Sequence, residues 1–291
     1  MAQLRHVRQS QGRLRGGRVE QALPACARGS INVSEAILKN IMRKVFDAAV
    51  IVPLYRMTEI LNWRLGKAGP GPIWYADRMQ WMRALEENWP VVLDEFERFR
   101  ARLDRLPDLE DLRTSNNVAD FGGGSWGFLY LRLNGTGNAM LAPHFPRTLA
   151  LLETHVPELF SVRFSLLGGD RKEITPHRDG HCQSIICHLP LIVPEGECSI
   201  TIAGRRQPWT VGKCFAFDAS ALHSVQKESK EERLVVLIDT FRPVPFWLRG
   251  ISRAVFRYTT RKAPVAQIMR QHDQAVGKAL AARAAAPAPA H

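Results

Sequence analysis

The chain has 291 residues, of which 45% are hydrophobic and 23% charged, the proportions of an ordinary globular protein. It has no run of about 18 apolar residues, so no segment is predicted to cross a membrane. The formal net charge of +12 is concentrated at the ends: residues 1–30 carry six arginines and one acid, and residues 242–291 carry nine basic residues and one acid. The middle of the chain is therefore near neutral, and the basic character belongs to the two ends. We predict that these basic ends meet an anionic surface.

The first part of the chain is predicted to be helical. Residues 1–30 lack hydrophobic periodicity, which indicates a basic, disordered tail. Residues 31–125 are predicted to form a helical N-terminal region that packs on the core. Its first helix extends from Ile31 to about Leu61 and is broken near Pro53.

Two further helices are predicted after a connector rich in glycine and proline. One covers Asp77 to about Glu87. The other begins at Pro90, because proline is favourable in a first helical turn. Residues 107–125 then have the composition of a loop.

From Trp126 the chain changes to short β-rich segments separated by turn residues, typical of strands. Strands this close together, without helices between them, favour an antiparallel barrel or a double-sheet jelly roll. We therefore predict a core over residues 126–245 and a mainly β fold with flanking helices.

The end of the chain is predicted to be a basic amphipathic helix over residues 246–278, followed by a disordered tail rich in alanine and proline over 279–291. Arginines recur every four residues along the helix, beside an apolar stripe that includes Trp247 and Ile251. Two interpretations stay open: a helix on an anionic membrane surface, or one packed on the domain with its basic face in solvent.

The most specific signal is a set of residues typical of a metal site. His177 and Asp179 form an H-x-D pair, and side chains at i and i+2 of a strand point to the same face. With His223 they would form a two-His-one-carboxylate triad that leaves positions open on Fe(II). Arg233, at the start of a later strand, is able to bind a carboxylate bidentately. The alternative is that His223 is a loop residue and Arg233 an exposed residue at a strand edge.

Ordered landmarks from about residue 80 to 245 resemble the aspartyl/asparaginyl β-hydroxylase family. They include "WGFLYLRLNG", "FSLLGG" before "PHRD", "CHLPLIVP" and the final "DTFRP". The resemblance implies a double-stranded β-helix, a cupin-like jelly roll, with N-terminal helices and a C-terminal basic helix. It also implies a dioxygenase that uses O2, with iron on His177 and His223 and 2-oxoglutarate contacts from Ser165, His188 and Arg233.

Asp179 indicates one branch of that family. The peptidyl hydroxylases have glycine at this position, whereas the bacterial enzymes that 2-hydroxylate acyl chains of lipid A or ornithine lipid have "HRD" as here. The resemblance therefore implies a lipid hydroxylase. The chain departs from the family at Ile186, where arginine is usual. This loss implies that Arg178 or another cation replaces the arginine, or that the pocket accepts a less polar substrate.

We therefore expect an oxidoreductase that hydroxylates a fatty-acyl chain at the inner face of the cytoplasmic membrane, as a peripheral protein. Five cysteines without CxxC spacing favour a reducing, cytoplasmic compartment. The basic ends lack interleaved aromatics, so no nucleic acid is expected as a partner. Two alternatives remain: β-hydroxylation of an Asp or Asn side chain in a peptide or natural-product intermediate, and a non-catalytic jelly roll that binds metal.

Overall fold

A computed structural model describes residues 29–67, 72–112, 123–179, 183–261 and 263–285. The chain divides into two compact units, residues 1–50 and residues 51–291. The first unit contains helix α1 (Gly29–Phe46) and most of a π-helical turn, Asp47–Ile51. Of the predicted disordered tail, Gly29 and Ser30 belong to α1, and the rest lies outside the described residues.

The second unit contains five α-helices and eleven strands in its described residues. The helices are α2 (Val52–Lys67), α3 (Trp81–Arg100), α4 (Pro146–His155), α5 (Phe246–Thr260) and α6 (Val265–Ala285). The strands are β1 (Ile73–Tyr75), β2 (Trp126–Leu133), β3 (Thr136–Gly137), β4 (Ser161–Leu167), β5 (Glu173–His177), β6 (Ser184–Ile192), β7 (Cys198–Ile202), β8 (Arg205–Pro208), β9 (Phe215–Phe217), β10 (His223–Lys227) and β11 (Arg233–Phe241).

The strands form two antiparallel sheets. The larger has the order β1-β9-β6-β11-β4-β2-β3, and the smaller has the order β5-β10-β7-β8. Two facing sheets linked by such crossovers make a jelly roll, so the predicted cupin-like core is confirmed. Strand β1 extends this core into the predicted N-terminal helical region, where it lies between the glycine- and proline-rich connector and the helix predicted from Asp77.

Alternating side chains on the central strands fill two hydrophobic cores. On β11, Leu234, Val236 and Ile238 join a core that contains residues of α3 and α4, whereas Val235 and Leu237 pack with residues of the smaller sheet. This period of two is the expected consequence of a pleated strand buried on both faces. The space between the sheets therefore receives the odd-numbered positions of β11.

Helix α3 is continuous where two helices were predicted, and Pro90 lies inside it. An internal proline removes one hydrogen bond and disfavours the helix. Here residues on both sides of Pro90, including Leu85 and Phe96, are buried in one hydrophobic core. Burial of that continuous face stabilises the helix through the proline. The earlier irregularity is likewise a π-helical turn that precedes Pro53.

The C-terminal region contains two helices instead of the single one predicted for residues 246–278. Pro264 separates α5 from α6, and α6 continues to Ala285. Residues 279–285 are therefore helical and not part of a disordered tail, because Ala279 and Val276 are buried in the core and alanine is the best helix former. Residues 286–291 lie outside the described part. No described helix has the length and apolar character needed to cross a bilayer.

A buried carboxylate joins two helices of the core. Glu95 on α3 accepts hydrogen bonds of 2.9 Å from the backbone N–H groups of Arg147 and Thr148, at the start of α4. We expect Glu95→Ala to lower the free energy of unfolding by about 2 kcal/mol, because two N–H groups at a helix N-terminus lose their acceptor. Urea unfolding measures this change. The matched variant Glu97→Ala, at an exposed position of α3, should change stability by less than about 0.5 kcal/mol.

Candidate metal centre

Strands β5 and β10 bring the predicted metal ligands together. His223 at the start of β10 pairs with His177 at the end of β5, and Asp179 follows two residues beyond that strand. One possible ligand atom from each of the three residues lies within 4.8 Å of the others. The Nε2 atoms of His177 and His223 lie 3.9 and 3.8 Å from the Asp179 carboxylate. The three side chains therefore face one common point.

Backbone hydrogen bonds orient both imidazoles for metal binding. The Nδ1 atom of His177 lies 2.7 Å from the carbonyl oxygen of Thr175, and Nδ1 of His223 lies 2.9 Å from that of Ala221. A carbonyl only accepts, so Nδ1 carries the proton and Nε2 keeps its lone pair. Burial also lowers the pKa of His223, which favours the neutral, ligating form. Two imidazole nitrogens and one carboxylate are a donor set that suits Fe(II).

Arg233 lies deep between the sheets and is only 2% exposed. Its Nη2 donates to Ser165 Oγ at 3.2 Å, and its guanidinium lies 4.7 Å from the centre of the Trp209 ring. Within the described part of the chain, its buried Nε has no hydrogen-bond partner, and no carboxylate is paired with it. Burial accordingly lowers the pKa of Arg233 to about 10. The group stays cationic at neutral pH and lacks the anion that a buried cation requires.

Ser165 and His188 are oriented beside Arg233. Ser165 Oγ also accepts a 2.9 Å hydrogen bond from Trp126 Nε1, so its own proton is left to donate. His188 Nδ1 accepts from Trp209 Nε1 at 3.1 Å, which places the imidazole proton on Nε2. Burial, with Arg233 nearby, holds the pKa of His188 well below its ordinary value. These two side chains and Arg233 therefore present hydrogen-bond donors for an anion.

Phe217 connects this anion-binding cluster to the metal ligands. Its ring centroid lies 5.2 Å from the ring of His188 and 5.2 Å from that of His223. Asp218, the next residue, accepts hydrogen bonds from the backbone and hydroxyl of Ser220 and forms an ion pair with Arg242. Asp218 thus stabilises a turn. His181 lies outside the described residues.

A cavity of about 630 Å³ is lined by Asp179 together with residues of β2, β4, β6, β11 and α5. Ile186, Phe160 and Phe256 contribute apolar walls, and Thr259 of α5 lies at its edge. A second cavity shares Phe160 and Phe256 and extends to Arg253 and Arg257. Arg178 is exposed, donates to the carbonyl of Ser220 and lines a different cavity, together with Ser220 and Leu222.

The cation nearest to Ile186 in this cavity is paired. Asp239 lies opposite Ile186 on the neighbouring strand, and its carboxylate accepts a 2.6 Å bond from Arg163. Burial disfavours the Arg163 cation, but the attraction of Asp239 outweighs it and raises the pKa of Arg163. This pair was not predicted from the sequence, although strand periodicity could have indicated it. Arg163 shares a face of β4 with Ser165, and Asp239 shares a face of β11 with Arg233.

Removing one partner of this pair should be costly. We expect Asp239→Asn to destabilise the fold by about 3 kcal/mol, because it leaves the buried Arg163 cation without a carboxylate. The double variant Arg163→Met/Asp239→Leu should recover most of that loss, since it removes both charges. Chemical unfolding of Arg163→Met, Asp239→Leu and the double variant tests the coupling. Additive losses in the double variant would show that the two residues do not stabilise each other.

Comparisons with known proteins relate the sequence to one family. The sequence model of the family described as aspartyl/asparaginyl beta-hydroxylase matches residues 86–243, more than half of the chain. The ornithine lipid ester-linked acyl 2-hydroxylase of Rhizobium tropici is 26% identical over 199 residues, which are 68% of this chain and 70% of that protein. Aspartate beta-hydroxylase domain-containing protein 2 of Mus musculus is 37% identical over 73 residues, 24% of this chain and 21% of its own length.

Likeness to solved structures is weaker. The non-heme α-ketoglutarate dependent epimerase SnoN from nogalamycin biosynthesis shares 18% identity over 40% of this chain and 63% of its own, with a TM-score of 0.29. The family match is the stronger finding, because it spans His177, Asp179, His188, His223 and Arg233. The chain belongs to the aspartyl/asparaginyl β-hydroxylase family.

Proposed function

We infer that this protein is an Fe(II)- and 2-oxoglutarate-dependent hydroxylase that acts on a fatty-acyl chain of a membrane lipid, of the lipid A or ornithine-lipid type. The assignment of 2-oxoglutarate as co-substrate rests on the buried Arg233 cation. This cation has no carboxylate partner among the described residues and lies in the same jelly roll as the candidate metal ligands. 2-Oxoglutarate has a distal carboxylate that such a cation would bind.

The roles of the residues follow from their geometry. His177, Asp179 and His223 would hold Fe(II) and leave positions open for the co-substrate and O2. When bound, the metal and 2-oxoglutarate supply the oxidation of a substrate C–H bond to an alcohol, with release of succinate and CO2. Arg233, Ser165 and His188 would bind and orient the co-substrate through their N–H and O–H groups. Phe215 and Phe217, both buried beside His188, would exclude water from this region.

The apolar cavity beside Asp179 supports the assignment of the substrate class. Ile186 stands in the cavity beside Asp179, and Asp239 already neutralises the neighbouring Arg163. An apolar wall next to the metal ligands suits an alkyl chain better than the carboxylate of an aspartyl side chain. The Rhizobium tropici relative is named for an acyl 2-hydroxylation.

Mass spectrometry of purified reactions tests this proposal. The full chain, loaded with Fe(II), is incubated with 2-oxoglutarate, ascorbate and either ornithine lipid or lipid A in detergent. We expect one lipid to gain one oxygen atom on an acyl chain, with an equal amount of succinate formed. An Asp- or Asn-containing peptide serves as the competing substrate. Hydroxylation of the peptide alone would replace the lipid assignment, and no succinate with any substrate would favour a non-catalytic jelly roll.

A further inference from the structure

Helix α5 has three distinct faces. Leu248, Ser252, Val255 and Phe256 are buried against the rest of the unit. The arginines at 249, 253 and 257 form a row at intervals of four residues. On the remaining flank, Trp247 is 54% and Ile251 40% exposed, and Phe246, at the first position of the helix beside the arginine row, is 85% exposed. Trp247 and Ile251, which belong to the apolar stripe predicted from the sequence, are therefore exposed and do not form the buried face of α5.

Helix α2, which contacts α5, also exposes apolar side chains on one face. Val52, Met57 and Ile60 are exposed, while Thr58 on the opposite side is buried and accepts a hydrogen bond from Gln183. Positions 52, 56 and 60 form one row of the helix, with position 57 in the next row. Ile60 also lines a cavity with Leu222, the neighbour of the ligand His223. The exposed face of α2 thus reaches the surroundings of the metal centre.

Considered by itself, helix α1 also exposes large apolar side chains. Two adjacent rows of the helix, at positions 37, 41 and 45 and at positions 38, 42 and 46, consist of large apolar side chains that are all exposed. Lys39, Arg43 and Lys44 occupy other positions of the helix. A helix in a folded protein normally buries its apolar stripe. An exposed stripe flanked by basic residues is typical of helices that lie at a lipid interface.

The charges near these faces indicate the kind of partner. Helix α5 contains no acidic residue, and Arg249 and Arg257 are exposed. Arg253 is neutralised by Glu158, to which its Nε donates at 2.7 Å. On α2, the one acid, Glu59, is paired with Arg56. Apolar side chains, a tryptophan and unneutralised arginines together are complementary to an anionic bilayer surface, where tryptophan prefers the interface.

We propose that the exposed apolar faces of α2 and α5 form a surface that docks on an anionic lipid bilayer. We call it the docking surface: Val52, Met57 and Ile60 of α2 with Phe246, Trp247 and Ile251 of α5. Its apolar side chains enter the interfacial region, and Arg249 and Arg257 contact anionic headgroups. The docking surface follows from the exposure and charge of these side chains alone. Bilayer binding is therefore independent of whether the protein hydroxylates a lipid.

Vesicle flotation of the full-length, metal-loaded protein tests the docking surface. The probes are vesicles of phosphatidylcholine alone and of phosphatidylcholine mixed with phosphatidylglycerol. We expect the wild type to float with the anionic vesicles and at least tenfold less with the neutral ones. The triple variant Phe246→Ser/Trp247→Ser/Ile251→Ser should bind the anionic vesicles at least tenfold more weakly. The variant Arg249→Glu/Arg257→Glu should lose the preference for phosphatidylglycerol.

A matched variant controls for the loss of exposed apolar area. Tyr75→Ser/Val211→Ser removes two exposed apolar side chains outside the docking surface and should float like the wild type. A fluorescence measurement adds a second readout: brominated lipid should quench the wild type more than Trp247→Phe, which keeps an apolar side chain and should still float. Circular dichroism checks that every variant remains folded.

Several outcomes would overturn the proposal. They are a wild type that does not float with anionic vesicles, a triple variant that floats normally, or quenching that is unchanged in Trp247→Phe. A wild-type dimer that the triple variant converts to monomer, with no flotation of either, would make the surface a protein interface. Loss of flotation by Ile41→Ser/Val45→Ser with no effect of the triple variant would assign docking to α1 alone. Hydroxylation of lipid dispersed in detergent does not require binding to a bilayer. A failure of the docking proposal can therefore be distinguished from a failure of the proposed activity.

Discussion

His223→Ala is expected to abolish both metal binding and hydroxylation. His223 is the buried member of the triad, and its Nε2 faces the Asp179 carboxylate at 3.8 Å. Replacing residues that only orient metal ligands costs about 10–100-fold in affinity, so loss of a ligand itself should cost more than roughly 100-fold. Calorimetry with Mn(II), which does not turn over, measures the affinity without relying on activity. Succinate formation measures the catalytic loss.

The control is a histidine of similar type outside the site. His155 is exposed at the end of α4, so His155→Ala should bind Mn(II) and form succinate as the wild type does. Thermal midpoints without metal check that both variants remain folded: His155→Ala should match the wild type, whereas His223→Ala should be somewhat less stable, because truncating a buried side chain leaves a cavity. Unchanged Mn(II) affinity in His223→Ala would contradict the assignment of the triad.

Arg233→Met should have opposite effects on co-substrate binding and on the stability of the free protein. Removing a buried charged partner of a ligand costs about 2–5 kcal/mol, which predicts at least about 30-fold weaker binding of 2-oxoglutarate to the Mn(II) form. In the free protein, however, burial lowers the pKa of Arg233 from 12.5 to about 10. That shift corresponds to an unfavourable energy of roughly 3 kcal/mol at neutral pH, where the side chain is charged both folded and unfolded.

The methionine variant should therefore be at least as stable as the wild type when no ligand is present. It should also lose the rise in thermal midpoint that 2-oxoglutarate causes in the wild type. Arg233→Lys, which keeps the charge but not the planar fork of donors, should bind 2-oxoglutarate with intermediate affinity. If Arg233→Met bound 2-oxoglutarate normally, the anion site would have to lie elsewhere. If it were strongly destabilised, Arg233 would be a structural residue.

The candidate metal ligands could be named from the sequence because the chemistry limits the choice of residues. His177 and Asp179 lie two residues apart, and the order and spacing of the later β segments indicated His223 as the third. The expectation that both lie on one strand was only partly right, since β5 ends at His177. Asp179 is instead positioned by its backbone N–H, which donates to the carbonyl of Ala219 at 2.8 Å.

The helices were predicted less well, because burial overrode local preference. Proline disfavours a helix interior, yet Pro90 lies inside the single helix α3. Burial of the continuous apolar face of this helix stabilises it. The alanine-rich end resembled a low-complexity tail, but His272 and Ala279 of α6 are buried, and the backbone N–H of Tyr130 donates to His272 Nε2 at 3.1 Å. Such long-range contacts are not encoded in any short window of the sequence.

By itself, the sequence determined the class of the fold, the metal-binding residue types and the family, because strand periodicity and ligand spacing are local properties. Only the tertiary structure decided which groups meet. It joined Arg163 to Asp239 across two strands, left Arg233 buried without a carboxylate among the described residues, and exposed the apolar flank of α5 to solvent. The physical reason is that periodicity defines the faces of a helix or strand, whereas packing between distant segments selects which face is buried.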